Sequence, residues 1–149
     1  MRTEDDVICG IVYIPPQNSM YCQDNPFHEI ELEMLNFSQY EYKCFFGDFN
    51  ARTSTANDFV ELDDSVSEND DYLYDNAVHK LQDVNLPIER NSQDKKKNNF
   101  GNFLIDFCKG NNLFICNGRF GETSCLFTCK EASVVDYVIV SANFCQTCV

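Results

Sequence analysis

The chain has 149 residues, and 44% of them are hydrophobic, which is enough for a single domain with its own core. Its formal net charge is −13, which argues against a generic nucleic-acid coat, because such proteins present a basic surface. No apolar run approaches the roughly 18 residues of a membrane-spanning helix. Nine cysteines, an odd number, and no charged-then-apolar leader predict reduced thiols and an intracellular protein without a signal peptide.

The first third of the chain predicts a strand, a helix and a second strand. Residues 7–14 are a continuous apolar run stopped by Pro15 and Pro16, which is typical of a buried strand. Residues 26–37 carry apolar side chains at helical spacing, and Pro26 suits a first helical turn. Residues 42–46 then predict a strand that delivers a turn at residues 47–50.

The middle of the chain is polar. Residues 57–75 are dense in Asp and Glu and contain no Lys or Arg, which predicts a solvated loop. We treat about 57–98, including the lysines at 95–97, as an acidic loop insert within one domain spanning 1–149. The acidic run lacks the spacing of a calcium loop, and the cysteines lack standard zinc spacing.

The last third predicts a helix followed by short strands. Phe100, Phe103, Leu104 and Phe107 share one face of a helix over 99–109, which Gly110 ends. Short strands follow at 113–116 and 126–129, and a strong apolar strand spans 134–140. Because strands alternate with two helices, the predicted class is α/β or α+β.

Three residues stand out as candidates for chemistry. Asp48 and Asn50 follow a buried strand, and residues two apart leave a strand on the same side, so both could face one phosphate. Turn chemistry alone also explains such a pair. Asp136 lies inside an apolar strand, where a carboxylate either faces solvent or is held by hydrogen bonds in a site, and Ser133 could cap or share that site.

The order of these features resembles the endonuclease/exonuclease/phosphatase superfamily, most closely the endonuclease domain of non-long-terminal-repeat retrotransposons. The resemblance rests on Tyr13 before Pro15-Pro16, the turn at 47–53 and the segment at 133–137. Further matching positions are Asp24 with Phe27, Phe100-Gly101, Asn117-Gly118-Arg119 and Phe127-Thr128. It implies a four-layered sandwich of two sheets, here incomplete.

The resemblance also implies hydrolysis of a phosphodiester in DNA with Mg²⁺ or Mn²⁺, and hence a nuclear location. Asp48 would orient or deprotonate the attacking water and is a candidate metal ligand. Asn50 would hydrogen-bond a phosphate oxygen, and Tyr13 would lie beside the phosphate. Asp136 would orient a catalytic histidine. The implied substrate-binding residues are Thr128, Ser133 and Asn117.

The sequence departs from the family pattern at both ends. The early asparagine, the metal-binding glutamate and the closing Ser-Asp-His motif have no counterpart, so we expect the middle of such a domain, with little or no activity alone. One alternative is a non-catalytic remnant that binds a basic protein partner, which the acidic charge favours. The other is a phosphomonoesterase of the same superfamily.

Overall fold

The computed structural model describes residues 6–22, 24–60, 77–120, 127–130 and 132–147, without side chains at 77, 146 and 147. In these ranges the chain forms strands β1 (Val7–Tyr13), β2 (Tyr42–Asp48), β3 (Leu113–Ile115) and β4 (Asp136–Ser141). The helices are α1 (Phe27–Leu35), α2 (Ala77–Asp83), α3 (Asn99–Asn111) and α4 (Ala142–Thr147). In the described ranges no helix is long and apolar enough to cross a membrane.

The strands form one mixed sheet in the order β1-β2-β4-β3. β1 and β2 are parallel, and β4 is antiparallel to both of its neighbours, β2 and β3. The α/β class is therefore confirmed. Across the described residues there is a single sheet, so the two-sheet sandwich stays a prediction.

The main core lies between one sheet face and helices α1 and α3. Phe27, the first residue of α1, stacks on Phe49 and contacts Phe107 of α3. Tyr137 and Ile139 of β4 are buried in the same cluster. Cys108 is fully buried here, and burial raises its pKa well above the usual thiol value.

The opposite sheet face is covered only in part. A second cluster covers its β3–β4 half, where Phe114 and Val140 pack with Phe59 and Leu81. Large apolar side chains on the β1–β2 side of this face stay exposed. They are Val7, Ile11 and Tyr13 of β1 and Phe46 of β2, and Val138 of β4, which pairs with Phe46, is exposed as well.

Several elements differ from the sequence-based predictions. The described part of the predicted insert contains α2, and Asp58 and Phe59 are buried rather than solvated. Residues 61–75 of the acidic run lie outside the described residues. Helix α3 continues past Gly110 and is capped by Asn112 in the left-handed conformation. The predicted strand at 126–129 is described only from 127, where a single bridge joins Cys129 to Ser133.

Candidate functional site

Three of the predicted residues lie side by side at one end of the sheet. Tyr13 ends β1, Asp48 ends β2, and Asp136 begins β4. The register pairs Tyr13 with Asp48 and Asp48 with Asp136. Since directly opposed residues project from the same sheet face, these side chains form one row, which we call the strand-end row.

The two carboxylates of the strand-end row belong to directly opposed residues of antiparallel strands, in the type of pair that brings side chains closest together. The N–H of Phe49 donates to the carbonyl of Val135 at 2.9 Å, so one bond of the ladder joins residues 49 and 135 at a hydrogen-bonding position. Asp48 and Asp136 are then the adjacent non-hydrogen-bonded pair, whose Cα atoms are typically about 4.5 Å apart with the side chains closer. Like charges directly opposed destabilise a sheet. Their juxtaposition favours a role in binding a cation or a proton donor.

The turn after Asp48 is tightly constrained. The Asn50 N–H donates to Oδ1 of Asp48 at 2.9 Å, and Asn50 Nδ2 donates to the carbonyl of Ile14 at 2.8 Å. Asn50 itself has a φ of +46°, in the left-handed region. Gly47 has a φ of +143°, and a Cβ there would lie 2.0 Å from the carbonyl oxygen of Val12. One N–H of the Asn50 amide is thus committed to Ile14 before any substrate binds.

The side chains of two predicted substrate-binding residues, Asn117 and Thr128, hydrogen-bond to the backbone of Asp136 and its neighbours. Nδ2 of Asn117 donates to the Asp136 carbonyl at 2.9 Å, and its Oδ1 accepts from the Val138 N–H at 2.9 Å. Oγ1 of Thr128 accepts from the N–H groups of Val135 and Asp136, at 3.0 and 3.2 Å. Both residues therefore position the start of β4.

Ser133 lies in the turn that carries Thr128. Its carbonyl accepts from the N–H groups of Thr128 and Cys129, at 2.9 and 3.0 Å. The structure therefore connects Ser133 to the strand-end row through the backbone of this turn.

Asn98 connects the site turn to helix α3, a role that the sequence analysis missed. Its Oδ1 accepts from the N–H groups of Gly101 and Arg52, at 2.7 and 2.8 Å. Its Nδ2 donates to the carbonyl of Asn50 at 3.0 Å. An Asn directly before a periodic helix is a recognisable N-cap signal, but its bonds to the turn have no signature in the sequence.

An ion pair anchors the same turn to the segment before β4. Nε and Nη2 of Arg52 donate to the two carboxylate oxygens of Asp94, at 2.8 and 2.6 Å. The N–H of Val134 donates to the same carboxylate at 3.0 Å. Burial alone would raise the pKa of Asp94, but its hydrogen bonds from Arg52, Val134 and Lys96 outweigh that effect and lower it.

A divalent ion such as Mg²⁺ needs oxygen ligands. The described residues include no group of three His, Cys, Asp or Glu side chains that could hold an ion. Asp48 and Asp136 offer two carboxylates, and Mg²⁺ is commonly bound through one or two carboxylates together with waters and substrate phosphates. His28 pairs with Glu31 on α1, and His79 lies on α2, so neither histidine belongs to the strand-end row.

Comparisons with family models, with curated proteins and with solved structures returned no match to this chain.

Proposed function

We propose that this chain carries the phosphate-binding part of a metal-dependent phosphodiester hydrolase, with DNA as the substrate class. The observation that carries the proposal is the strand-end row, in which a tyrosine and two carboxylates are adjacent in register. Such a row has a hydroxyl donor for a phosphate oxygen beside two ligands for a divalent ion. The reaction class follows the resemblance to the endonuclease/exonuclease/phosphatase superfamily.

The same proposal includes a two-sheet sandwich as the complete fold. Its support is the exposed apolar surface on the β1–β2 side of the sheet, where Ile11 is 81% exposed. All-parallel sheets are normally covered on both faces, and β1 and β2 form the parallel pair of this mixed sheet.

Within this proposal, Asp48 orients or deprotonates the attacking water, and Tyr13 donates its hydroxyl proton to a phosphate oxygen. Asn50 keeps a second amide N–H for the phosphate after donating one to Ile14. Bound Mg²⁺ or Mn²⁺ would neutralise charge on the transferring phosphoryl group. Because the described residues contribute neither a third metal ligand nor a histidine to this row, we expect little or no turnover by the chain alone.

The first test measures DNA binding by the full chain. A short duplex is titrated into ¹⁵N-labelled protein with Mg²⁺ and, separately, with EDTA. In the parent protein we expect the amide chemical shifts of residues 13, 48–50, 128 and 136 to change when DNA binds. In Mg²⁺, the Asp48→Asn variant should bind DNA roughly ten-fold more weakly than the parent, a loss of about 1.4 kcal/mol in binding free energy. In EDTA the same variant should bind no more weakly than the parent, because it removes a charge that repels phosphate.

The matched control is Asp106→Asn, since Asp106 is an exposed acid on α3 outside the strand-end row. A metal-bridged phosphate site would be contradicted if Asp106→Asn weakened DNA binding as much as Asp48→Asn does. It would also be contradicted if Asp48→Asn weakened DNA binding in EDTA. Plasmid nicking with Mg²⁺ should remain at background. Robust nicking that disappears in Asp48→Ala would show that the chain is active alone, and phosphate release from small monoesters would favour the phosphomonoesterase alternative.

A further inference from the structure

No described residue pairs with the outer edge of β1, which we call its open edge. β1 is the terminal strand of the sheet, and across the described ranges it pairs only with β2. The Ile14 N–H donates to the Asp48 carbonyl at 2.9 Å. In this parallel register the even-numbered residues of β1 bond to β2, so the N–H and C=O groups of the odd-numbered residues point to the open edge. Those residues are Val7, Cys9, Ile11 and Tyr13.

A groove runs along this edge between β1 and helix α1. One hollow of about 360 Å³ is lined by Ile8 and Gly10 of β1 and by Ile30, Met34 and Phe37. A second hollow of about 260 Å³ continues it towards the end of the strand, with Val12, Tyr21 and Pro26 in its wall, and Ile30 lines both. We call this continuous surface the β1–α1 groove.

The rim of the β1–α1 groove is acidic. Glu29 lines one hollow and Glu33 the other, and both carboxylates are on exposed residues of α1. Lys43 is the one basic residue in the described lining, and its ammonium group donates to the Tyr40 carbonyl. The whole chain carries a net charge of −13. A second copy would therefore bring like charge to the rim, whereas a basic segment would be attracted.

We propose that the open edge of β1 binds an extended segment of a partner protein by β-strand addition. The segment alternates β-branched apolar residues with Lys or Arg. Its backbone pairs with the odd-numbered residues of β1, and its apolar side chains pack beside Ile11 and Tyr13, which are 81% and 70% exposed. On the other face, the stems of the basic side chains cover the groove lining, and their charged ends reach Glu29 and Glu33.

This inference shares Tyr13 with the strand-end row, but it uses the edge of β1 and none of the chemistry proposed for the carboxylates of β2 and β4. Asp48→Asn is therefore expected to leave peptide binding unchanged. Failure of either proposal can be recognised without reference to the other.

The test uses the full chain and a capped synthetic peptide of about eight residues, a typical strand length, that alternates Val with Lys. Amide hydrogen exchange is followed by NMR with and without the peptide. In the free protein, the N–H groups of the odd-numbered β1 residues should exchange fast and those of Ile8, Gly10 and Val12 slowly. With peptide, exchange at the odd positions should slow at least about ten-fold.

Two variants separate the backbone and charge contributions. Ile11→Pro removes one N–H at the open edge without breaking a bond to β2, since edge strands tolerate proline there, and it should abolish binding. Glu33→Gln should weaken binding several-fold, while Asp83→Asn, an exposed acid on α2, should not. A peptide that alternates Val with Glu should bind at least about ten-fold more weakly than the Lys peptide.

Three results would overturn the proposal. One is unchanged exchange at the odd-numbered positions when the Lys peptide is saturating. Another is equal binding of the Lys and Glu peptides, which would remove the charge argument. The third is protection of the same positions without peptide that grows with protein concentration, which would identify a second copy as the occupant.

Discussion

Asp94 holds together the network behind the candidate site, and its side chain is only 2% exposed. Its pKa is lowered because hydrogen bonds from Arg52 and two backbone N–H groups outweigh the effect of burial. A carboxyl whose folded pKa is lowered contributes stability that is complete above its unfolded pKa of about 3.9 and is lost as the pH falls through the folded pKa. Asp94 therefore makes the fold sensitive to acid.

We predict that Asp94→Asn lowers the free energy of unfolding by about 2 kcal/mol at pH 7, the size of a lost charge-assisted hydrogen-bond set. The difference between parent and variant should shrink as the pH falls below about 4. Urea unfolding at pH 7 and at two acid pH values measures this difference in unfolding free energy. The control is Asp106→Asn, because Asp106 is exposed. A difference that stays constant with pH would contradict the role of the ionised carboxylate.

Asp58 shows where residue-level prediction fails. It opens an acidic run that predicts a solvated loop, yet its carboxylate accepts from both Nη atoms of Arg119 at 2.7 Å and from the Ile115 N–H at 2.7 Å. Arg90 Nε lies 4.0 Å away, and burial lowers the Arg90 pKa. A local pattern of charges carries no information about partners 57 and 61 positions away in the chain.

The sequence places the three residues of the strand-end row near strand ends, but their adjacency depends on strand order and register, which the sequence analysis did not specify. Tyr13 lies near the end of one apolar run and Asp48 just beyond the end of another, and Asp136 interrupts a third. The structure places all three in adjacent register. The hydrogen bonds of the Asn50, Asn117 and Thr128 side chains were not predictable, since their backbone partners come close to them only in the folded chain.

Among the helices, the two with strong periodicity were predicted and the two short ones were not. α1 and α3 bury one apolar face each, so the 3.6-residue pattern is visible in the sequence. α2 and α4 have 7 and 6 residues, too few to show a periodic pattern. α2 and α4 contact each other beside the sheet, and helices this short depend on such tertiary packing for stability.

Helix α3 contains two glycines in opposite environments, which makes a matched pair of substitutions. A Cβ at Gly101 would lie 1.9 Å from the carbonyl oxygen of Arg52, whereas one at Gly110 meets nothing within 4 Å. We predict that Gly110→Ala stabilises the protein by about 0.5 to 1 kcal/mol, because alanine loses less backbone entropy. Gly101→Ala should destabilise it by about 2 kcal/mol or more, because the helix and the site turn must move apart.

Urea unfolding of the two variants measures both effects, and amide exchange at residues 50–53 reports on the turn. Faster exchange there only in Gly101→Ala would tie the close approach of α3 to the geometry of the candidate site. If the two variants were equally stable, the turn would move away from the new methyl group with no loss of stability. The close approach of residue 101 to the Arg52 carbonyl oxygen would then not constrain the fold.

At the scale of the whole molecule, charge imbalance is the dominant electrostatic feature. The chain has 24 acidic and 11 Lys or Arg residues, so the compact state repels itself. The described ion pairs oppose this only weakly, since Arg119–Asp58 is buried and little affected by salt, and Arg52–Asp94 is a single pair. Repulsion should therefore outweigh attraction in the response of stability to salt.

We predict that the Tm rises by several degrees when NaCl is increased from about 10 mM to about 300 mM, because the Debye length falls from about 30 Å to below 10 Å. Calorimetry or thermal circular dichroism measures the shift, and KCl should give the same curve if screening is the cause. Sulfate at equal ionic strength separates screening from preferential exclusion, which strengthens apolar burial. A Tm that falls with added NaCl would show that attractive ion pairs, rather than the net charge of −13, control the stability of this fold.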